Sequence, residues 1–571
     1  MLRLKSFALG RLPGVLTIHW PKLIVILIAA ASLWLWLKGT AWGQPYAFQS
    51  DEWRFLSRVV DNPAVPIWTI YGRWPIYTQR LAAALTGLPT TDLLLARTTA
   101  ALISVAGLLA TALATAQIAG WKAAALAAAL LAGAPLVVQT ANFFITDVWL
   151  YAGVAAAIWL SLRQAMHGQW RTALALGLVW GMAIGSKLSG LFLFPAIIWA
   201  FWIGPSRHRW RKLAVAVALA ALVGLAGQPT LLVNGLNAYL KQGELLTHLN
   251  VAAGLIRPSY TLQFVDTPTW TYYISPVLWW GAGPLLTILG LTGIAGGLLV
   301  CVRHFRSVLA RNQPVALHLI WLSAFGAIYL MSAGQFSKYT RYALPLLPSL
   351  AIGASWLVMR ATQRLSNTPA TISLLILGAV ALLPGLFFAR VHQQLDTRLQ
   401  AALWIGDHVP ANAAICHEPD VGYAVPPIGL GGPAYASTAQ RNYRSVLLNW
   451  GALYAASDFL RQTQPQPVID TPEQQPLRID AQQTAQIEAW LAACDWLVVS
   501  DRFADQFLPL ADIWPAIGGF YRELLGNHRS DFHLVAEFRS LPGWQDFTID
   551  DRSAELTFRS FDHPTIWIFK R

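Results

Sequence analysis

The sequence has few charged residues and few cysteines. Charged side chains make up 12% of its 571 residues, whereas 55% of the residues are hydrophobic and the mean hydropathy is +0.46. An ordinary soluble domain carries about twice that share of charge. Its three cysteines, Cys301, Cys416 and Cys494, lack the spacing of metal ligands. This composition argues against a soluble enzyme or a cysteine-based zinc domain and predicts a membrane protein.

Acidic residues are scarcest in the first two thirds of the chain. Residues 1–389 contain seven of the 28 Asp and Glu but 27 of the 41 Lys and Arg, a net charge of +20, and residues 390–571 carry −7. The overall charge of +13 would suit nucleic acid, yet the positive residues lie between apolar segments. Such a distribution is typical of a polytopic membrane protein and argues against a nucleic-acid partner.

Long apolar segments predict an all-α membrane domain over residues 1–389, with about eleven transmembrane helices of about 20 residues each. The predicted spans are 22–38, 95–117, 123–142, 147–162, 172–186, 188–204, 213–232, 276–300, 315–333, 342–359 and 369–389. The segments 147–162 and 172–186 are short, so they could be tilted or re-entrant.

Basic residues mark one set of loops between these spans. Lys122, Arg163, Arg171 and the run from Arg207 to Lys212 fall in loops that contain no Asp or Glu. The positive-inside rule therefore predicts a multi-pass protein of the inner (cytoplasmic) membrane with a cytoplasmic N-terminus. The long loops 39–94 and 233–275 are then external. An odd number of spans places residues 390–571 outside the cytoplasm as well.

The pattern of residues 390–571 predicts a small α/β extracytoplasmic domain. Its predicted elements are a helix at Asp396–His408, strands at Trp496–Ser500, His533–Phe538 and Thr565–Phe569, and an exposed loop at Pro465–Pro476. Cys416 and Cys494 could form a disulfide in an oxidising compartment, or they could remain two free buried thiols.

Two external segments carry carboxylates suited to chemistry on a hydroxyl group. Asp51 and Glu52 lie in the first external loop, followed by arginines and aromatic residues. A carboxylate can take a proton from a hydroxyl, although two acids could also simply begin a helix. Asp147 lies in a short turn between two spans, where a carboxylate is usually functional. Thr146 and Asp147 could instead cap the next helix.

Cations at the same predicted membrane face form a second group. Lys187 lies in the segment Gly185–Gly190, and Lys338 and Arg341 lie at the mouth of a later span. Lysine and arginine at such positions suit a phosphate or pyrophosphate group. For Lys187 the alternative is a side chain that reaches to the membrane interface without binding a ligand.

The external loop 233–275 mixes hydrogen-bonding groups with aromatic residues. His248, Tyr260 and Gln263 are its candidate substrate-binding residues. Aromatic residues such as Trp270 could equally anchor the loop at the membrane surface, and His248 could be a structural histidine. Carboxylates and cations from at least five segments therefore converge on one predicted face of the membrane.

Short motifs spread over nearly the whole chain carry a resemblance to a known family. They are Asp51-Glu52, Thr146-Asp147, Lys187 in Gly-Ser-Lys-Leu-Ser-Gly, Tyr260 to Phe264, Trp279 to Pro284, Arg341-Tyr342, Thr397-Arg398, Trp404-Ile405 and Phe561 to Pro564. With these motifs the chain resembles the bacterial phospholipid-carrier-dependent glycosyltransferases of the GT-C fold. This group is similar to dolichyl-phosphate-mannose-protein mannosyltransferases and to the aminoarabinose lipid A transferase. One departure is Arg73-Trp74-Pro75, where the aminoarabinose enzyme has Lys-Pro-Pro.

The resemblance implies a GT-C-like membrane domain and an inverting transfer of sugar in a bacterial inner membrane. The implied donor is a polyprenyl-phosphate sugar, and the acceptor is a glycolipid, an envelope polysaccharide or a protein. It implies Asp51 as the catalytic base, Glu52 as its alternative and Asp147 as a further catalytic residue. The expected donor-phosphate ligands are Arg73, Lys187, Lys338 and Arg341. Whether a divalent metal ion takes part is left open.

Two other classes of protein remain as alternatives. A lipid or glycan transporter also has many spans, but it is expected to place ionisable groups near the middle of the bilayer and to show repeat symmetry. A non-catalytic envelope assembly protein needs no converging charges. The acids of this chain lie at the predicted external edge, which favours the enzyme.

Overall fold

A computed structural model describes residues 20–59, 71–205, 207–229, 231, 235, 245–363, 365–419, 426, 443–455 and 480–571. The described residues between 20 and 389 are mostly helical. Their α-helices are α1 (Trp20–Gly39), α2 (Ser50–Val59), α3 (Trp74–Thr86), α4 (Leu93–Ala132), α5 (Pro135–Ala141), α6 (Thr146–His167), α7 (Trp170–Ile184), α8 (Phe194–Ile203), α9 (Arg209–Ala226), α10 (Leu245–Ala252), α11 (Pro284–Arg303), α12 (Phe305–Leu309), α13 (Gln313–Ala316), α14 (His318–Gly334), α15 (Leu347–Thr362) and α16 (Asn367–Ala389).

Tighter or wider helical turns join several of these helices. The 3₁₀ turns are Leu188–Leu193, Ser259–Phe264, Thr271–Tyr273 and Thr340–Leu346, and a π turn covers Ile274–Trp279. Within the described ranges, six helical stretches are long and apolar enough to cross a membrane: Trp20–Gly39, Leu93–Ala132, Pro284–Arg303, Gln313–Gly334, Thr340–Thr362 and Thr368–Ala389. The polytopic all-α domain is confirmed, and the number of eleven spans stays a prediction.

The predicted spans 95–117 and 123–142 are separated in the structure, because non-helical backbone at Gly120 (φ 82°) divides α4 into two helices between them. The second predicted span differs in that its helix ends at Ala132 and is followed by the separate short helix α5. Glycine adopts positive φ without steric cost, so Gly120 permits the break inside an apolar run. The predicted short span 147–162 is in fact the 22-residue helix α6.

Helix α4 packs against α1, α6, α15 and α16 in the centre of the bundle. Its second half is rich in alanine, and most of these alanines are fully buried. Small side chains let neighbouring helix backbones approach closely, which is how helices associate where the solvent itself is apolar.

The C-terminal part is a small α/β domain, as predicted. Its helices are α17 (Thr397–His408), α18 (Trp450–Ala455), α19 (Asp480–Ala492), α20 (Asp501–Phe507), α21 (Pro515–Leu525) and α22 (Leu556–Ser560). Its strands are β1 (Ala414–His417), β2 (Arg444–Leu447), β3 (Trp496–Ser500), β4 (His533–Phe538), β5 (Gly543–Trp544), β6 (Phe547–Thr548) and β7 (Ile566–Lys570). Five of these strands form a mixed sheet in the order β2-β1-β3-β7-β4, and β5 pairs with β6.

A disulfide joins Cys416 of β1 to Cys494, just before β3. The pairing alternative is therefore confirmed over the free-thiol alternative. The predicted helix and the three predicted strands of this domain are confirmed with small shifts of their ends. The predicted loop Pro465–Pro476 lies outside the described residues, as does part of the predicted external loop 233–275.

The C-terminal domain docks directly on the helical bundle. Gln139 of α5 donates from Nε2 to the carbonyl oxygen of Phe558 at 2.7 Å and to Asp562 at 3.0 Å. Glu555 accepts hydrogen bonds from the backbone N–H and the hydroxyl of Thr340, both at 3.0 Å. Because Thr340 directly precedes Arg341, the domain touches the segment that carries a predicted site residue.

Candidate active site

Asp51 and Arg341 form a buried ion pair at the end of the bundle that faces the C-terminal domain. Asp51 lies in the first turn of α2 and is 5% exposed. Its Oδ2 is 2.6 Å from Nη1 of Arg341, and the hydroxyl of Tyr71 is 3.5 Å from the same oxygen. The structure thus brings together a carboxylate and a cation that lie 290 positions apart in the chain.

Asp147 and Lys187 form a second ion pair. Asp147 lies in the first turn of α6 and is 1% exposed, and its Oδ1 is 2.6 Å from Nζ of Lys187. Within the described residues, Oδ2 of Asp147 and Nε of Arg341 are buried without a hydrogen-bond partner. Each ion pair therefore keeps a polar atom available for a further ligand.

Two tyrosines link the ion pairs into one cluster. Nζ of Lys187 is 5.6 Å from the ring centre of Tyr71 and 4.3 Å from that of Tyr342. The guanidinium of Arg341 is 5.7 Å from the Tyr342 ring. Burial and the neighbouring Asp51 carboxylate raise the pKa of Tyr71 well above its ordinary value. Its hydroxyl therefore stays protonated and donates to Asp51.

Backbone pairing sets the position of Lys187. Tyr71 and Lys187 form an antiparallel bridge, and the N–H of Gly72 donates to the carbonyl oxygen of Ser186 at 2.8 Å. A Cβ atom on Gly72 would lie 1.6 Å from the carbonyl oxygen of Gly185. Glycine is required here because any side chain would separate the two segments.

Glu52 lies outside the two ion pairs although it follows Asp51 directly. Its carboxylate accepts from Nε and Nη2 of Arg97 at 2.9 and 2.8 Å and from the backbone N–H of Phe144 at 3.0 Å. Both Glu52 and Arg97 are fully buried. This geometry is that of a structural anchor between α2 and α4. The sequence carried a signal for it, because Arg97 is a lone cation in the first turns of an apolar helix.

Arg73 and Lys338 contact groups other than the carboxylates of Asp51 and Asp147. The N–H of Arg73 donates to the carbonyl oxygen of Gly227 at 2.8 Å, and its guanidinium interacts electrostatically with Tyr77 and Arg80. Nζ of Lys338 is 3.2 Å from Oγ1 of Thr267. Their predicted roles as phosphate ligands stay predictions.

The three predicted substrate-binding residues lie on α10 and the turn that follows it. His248 is a partly exposed residue of α10, and Tyr260 is 40% exposed, with its carbonyl oxygen bonded by the Tyr339 hydroxyl at 2.9 Å. Gln263 has both of its side-chain polar atoms buried and without a hydrogen-bond partner in the described part of the chain. Of the three, Gln263 has the clearest capacity to bind a ligand.

The C-terminal domain also reaches the cluster, which the sequence did not predict. The ring centre of Phe561 is 5.8 Å from the Arg341 guanidinium, and Glu555 holds the neighbouring Thr340. The sequence around Phe561 and Glu555 has no pattern that predicts contact with a segment more than 200 positions earlier.

Comparison with known proteins agrees with this architecture. Residues 74–232, which include Asp147 and Lys187, match the family model described as dolichyl-phosphate-mannose-protein mannosyltransferase. The apo oligosaccharyltransferase of Archaeoglobus fulgidus has a similar structure, with a TM-score of 0.50 and 13% identity over 88% of this chain and 72% of that chain. The chain has a GT-C-like fold. No curated protein matches it in sequence.

Two other solved structures are also similar, and like the matched family they are glycosyltransferases. ArnT from Cupriavidus metallidurans, bound to undecaprenyl phosphate, has 14% identity over 95% of this chain and 97% of that chain, with a TM-score of 0.45. The Pmt1–Pmt2 protein O-mannosyltransferase complex of S. cerevisiae, bound to its sugar donor, has 19% identity over 38% of this chain and 34% of that chain, with a TM-score of 0.32.

The charged groups of the cluster also bear on metal binding. Across the ranges given above, no three His, Cys, Asp or Glu side chains gather as metal ligands, and the carboxylates of Asp51 and Asp147 are each paired with a cation. Whether a divalent metal ion takes part is untested, and the reaction proposed for the cluster does not depend on one.

Proposed function

We propose that this protein is a membrane glycosyltransferase that moves a sugar from a polyprenyl-phosphate donor to an acceptor hydroxyl outside the cytoplasm of a bacterium. The observation that carries the proposal is the convergence of Asp51–Arg341 and Asp147–Lys187 in one buried cluster. A lipid-phosphate donor agrees with the description of the family matched by residues 74–232.

The cations of the cluster suit the phosphate of the donor. Arg341 and Lys187 are each paired with one carboxylate, and phosphate oxygens can compete for the same N–H groups. Binding of the phosphate by Arg341 then loosens its contact with Asp51. The carboxylate of Asp51 becomes available as a base at the moment the donor is in place.

The proposed reaction is a single inverting displacement. The acceptor oxygen attacks the anomeric carbon, the bond from that carbon to the phosphate oxygen breaks, and polyprenyl phosphate leaves. The acceptor proton passes to Asp51, which acts as the general base. Tyr71 donates to Asp51 and orients its carboxylate. Asp147 holds Lys187 toward the phosphate.

The remaining predicted residues fit around this reaction. Arg73 is proposed as an outer cation for the donor phosphate, and Lys338, His248, Tyr260 and Gln263 as contacts to the substrates. Glu52 is proposed to act through the position of α2, because its carboxylate is held by Arg97.

Replacement of Asp51 by Asn tests the assignment of the base. We expect transfer from radiolabelled polyprenyl-phosphate sugars in proteoliposomes to fall by about 10²- to 10⁴-fold, the usual contribution of a general base. Asp266→Asn is the matched control, because Asp266 is an exposed acid at positive φ, where asparagine fits equally well.

Two outcomes would contradict the proposal. Full activity of a folded Asp51→Asn variant would show that Asp51 is not the base. If the wild-type protein transfers no sugar from any donor of the panel, the transporter or assembly alternative gains support instead.

A further inference from the structure

Arg502 of the C-terminal domain is a buried cation that makes no ion pair within the described residues. It is the second residue of α20 and is 3% exposed. Its Nε and Nη1 atoms are buried and have no hydrogen-bond partner in the described part of the chain. An unpaired guanidinium in a protein interior is costly, and burial lowers the pKa of Arg502 from its ordinary value. Such a group calls for a ligand.

The carboxylates that interact electrostatically with Arg502 are already bonded elsewhere. They are Asp501, Glu555 and Glu418. Asp501 pairs with Arg559 at 3.1 Å, and the other two accept backbone N–H groups at 2.8 to 3.0 Å. No nearby acid therefore neutralises the Arg502 guanidinium by direct contact in the described residues.

The segment that packs against Arg502's helix carries a second unsatisfied polar group. Helix α20 packs on the 3₁₀ turn Ser259–Phe264, and Phe503 lies in the same hydrophobic cluster as Leu262. Gln263 of that turn has both Nε2 and Oε1 buried without a hydrogen-bond partner in the residues described. The two unpaired side chains thus belong to two elements in direct contact.

Lys338 completes a set of three donors in this region. It is 2% exposed, and its Nζ lies 3.2 Å from Oγ1 of Thr267, which itself bonds the carbonyl oxygen of Phe264. The rings of Phe264 and Tyr339 are 4.9 Å apart, so the turn lies beside the segment that follows Lys338.

We propose that Arg502, Gln263 and Lys338 form an oxyanion subsite that binds a phosphate or carboxylate group of the acceptor. A guanidinium, an amide N–H and an ammonium are the donors that such oxyanions prefer. The inference that the subsite binds an oxyanion depends only on these three side chains. The assignment to the acceptor rests on the proposed transferase function.

The subsite is adjacent to the Asp51–Arg341 pair but separate from it. Tyr339 is near both, because its ring centre is 5.3 Å from the Arg341 guanidinium and its hydroxyl interacts electrostatically with Arg502. The cluster cations Arg341 and Lys187 are assigned to the carrier phosphate. An anion held by Arg502 therefore belongs to the second substrate, whose hydroxyl must reach Asp51.

The test compares Arg502→Gln with wild type in the full-length protein, using inorganic phosphate as the probe. Phosphate is titrated at constant ionic strength, and Tm is followed by intrinsic fluorescence, since a ligand that binds only the folded state raises Tm. We expect Arg502→Gln to have an unchanged or higher Tm without phosphate, because the variant removes an unpaired buried charge. We also expect its apparent phosphate affinity to fall by about tenfold or more.

Arg522→Gln is the matched control, because Arg522 is an exposed arginine on α21 of the same domain, and it should behave as wild type. An unchanged phosphate response of Arg502→Gln would overturn the subsite. A purely structural arginine would give a strongly lowered Tm without phosphate and an unchanged rise of Tm on adding phosphate. That result would also overturn the subsite. Arg502→Lys should retain part of the phosphate response.

A second arm separates the acceptor from the carrier. Binding of radiolabelled undecaprenyl phosphate in nanodiscs should be unchanged in Arg502→Gln and reduced in Lys187→Gln. Loss of carrier binding in Arg502→Gln would overturn the assignment to the acceptor. If wild type transfers no sugar but Arg502 still governs the phosphate response, the transferase function fails while the oxyanion subsite stands.

Discussion

At the residue scale, the adjacent acids Asp51 and Glu52 have different surroundings, and only Asp51 is placed to act as a base. Asp51 faces Arg341 and Tyr71 in the cluster, whereas Glu52 is bound on several sides by Arg97 and the backbone of Phe144. Successive residues of an α-helix point about 100° apart, so one acid of the pair can face the site while the other faces the protein interior. The sequence alone could not separate the two.

Removal of Arg97 should destabilise the protein without touching the cluster. Arg97→Met leaves the Glu52 carboxylate buried without its partner, which costs about 3–5 kcal/mol. We expect a lower Tm and a lower yield of folded protein, both partly restored in the double variant with Glu52→Gln. The control is Arg552→Met, because the side chain of Arg552 is 69% exposed and a surface ion pair is worth about 0–1 kcal/mol. Equal stability of the two single variants would contradict the anchor role.

Glu418 should make the stability of the protein depend on pH. Burial raises the pKa of Glu418 to about 8, against an ordinary value of 4.5. Because the folded-state pKa is raised, the stabilisation is complete below about pH 4.5 and is lost as the pH rises through about 8. We expect Tm to fall more steeply between about pH 4.5 and about pH 8 in wild type than in Glu418→Gln, which stays neutral. Parallel curves for the two proteins would argue against this titration.

At the element scale, short segments do more to build the site than the long spans do. The bridge between Tyr71 and Lys187, the first turns of α2 and α6 and the 3₁₀ turn Thr340–Leu346 supply the side chains of the cluster. The long apolar helices form the bundle against which these segments pack. Hydropathy predicts the helices of this bundle, because a membrane-spanning helix is recognised by its length and apolar composition alone.

Gly72→Ala should disrupt the cluster through the backbone. The new Cβ would meet the Gly185 carbonyl oxygen, and overpacking of this kind costs about 1–3 kcal/mol or more. We expect Lys187 to move away from Asp147, with loss of transfer activity and a lower Tm. Gly326→Ala is the control, because a Cβ on Gly326 of α14 meets no atom within 4 Å. Wild-type activity in Gly72→Ala would show that this close approach is not required.

At the scale of the whole molecule, the C-terminal domain contacts the segment of the membrane domain that carries Arg341. Glu555 holds the N–H and the hydroxyl of Thr340 and so sets the start of the turn that carries Arg341. A membrane domain and a sheet domain that appear separate in the sequence pattern therefore both contribute contacts to one candidate site.

Glu555 is expected to act as a positioning residue. Glu555→Ala should lower sugar transfer by about tenfold or more, because small displacements of catalytic groups are expensive, and Glu555→Gln should restore part of it. Glu537→Ala on the exposed face of β4 is the control and should behave as wild type. If Glu555→Ala keeps full activity while remaining folded, the domain does not position Arg341.

The helical frame, the α/β character of the C-terminal domain and four members of the cluster were predictable from the sequence. Asp51, Asp147, Lys187 and Arg341 were recognisable because charge at the edge of an apolar span is costly. Glu52, Arg73 and Lys338 shared that signal yet make their observed contacts outside the two ion pairs. Position at the edge of a span predicts how deep a residue lies in the membrane. It does not predict the direction in which the side chain points.

The sequence by itself determined the membrane character, most of the helical segments and the set of polar residues at one predicted face, because apolar length and charge placement are local properties. Only the tertiary structure decided the pairing of Asp51 with Arg341 and of Asp147 with Lys187, the burial of Arg502 without an ion-pair partner among the described residues, and the contact of Glu555 with Thr340. These depend on helix packing and on the docking of two domains. Both arise from contacts between segments far apart in the chain, and no local pattern encodes them.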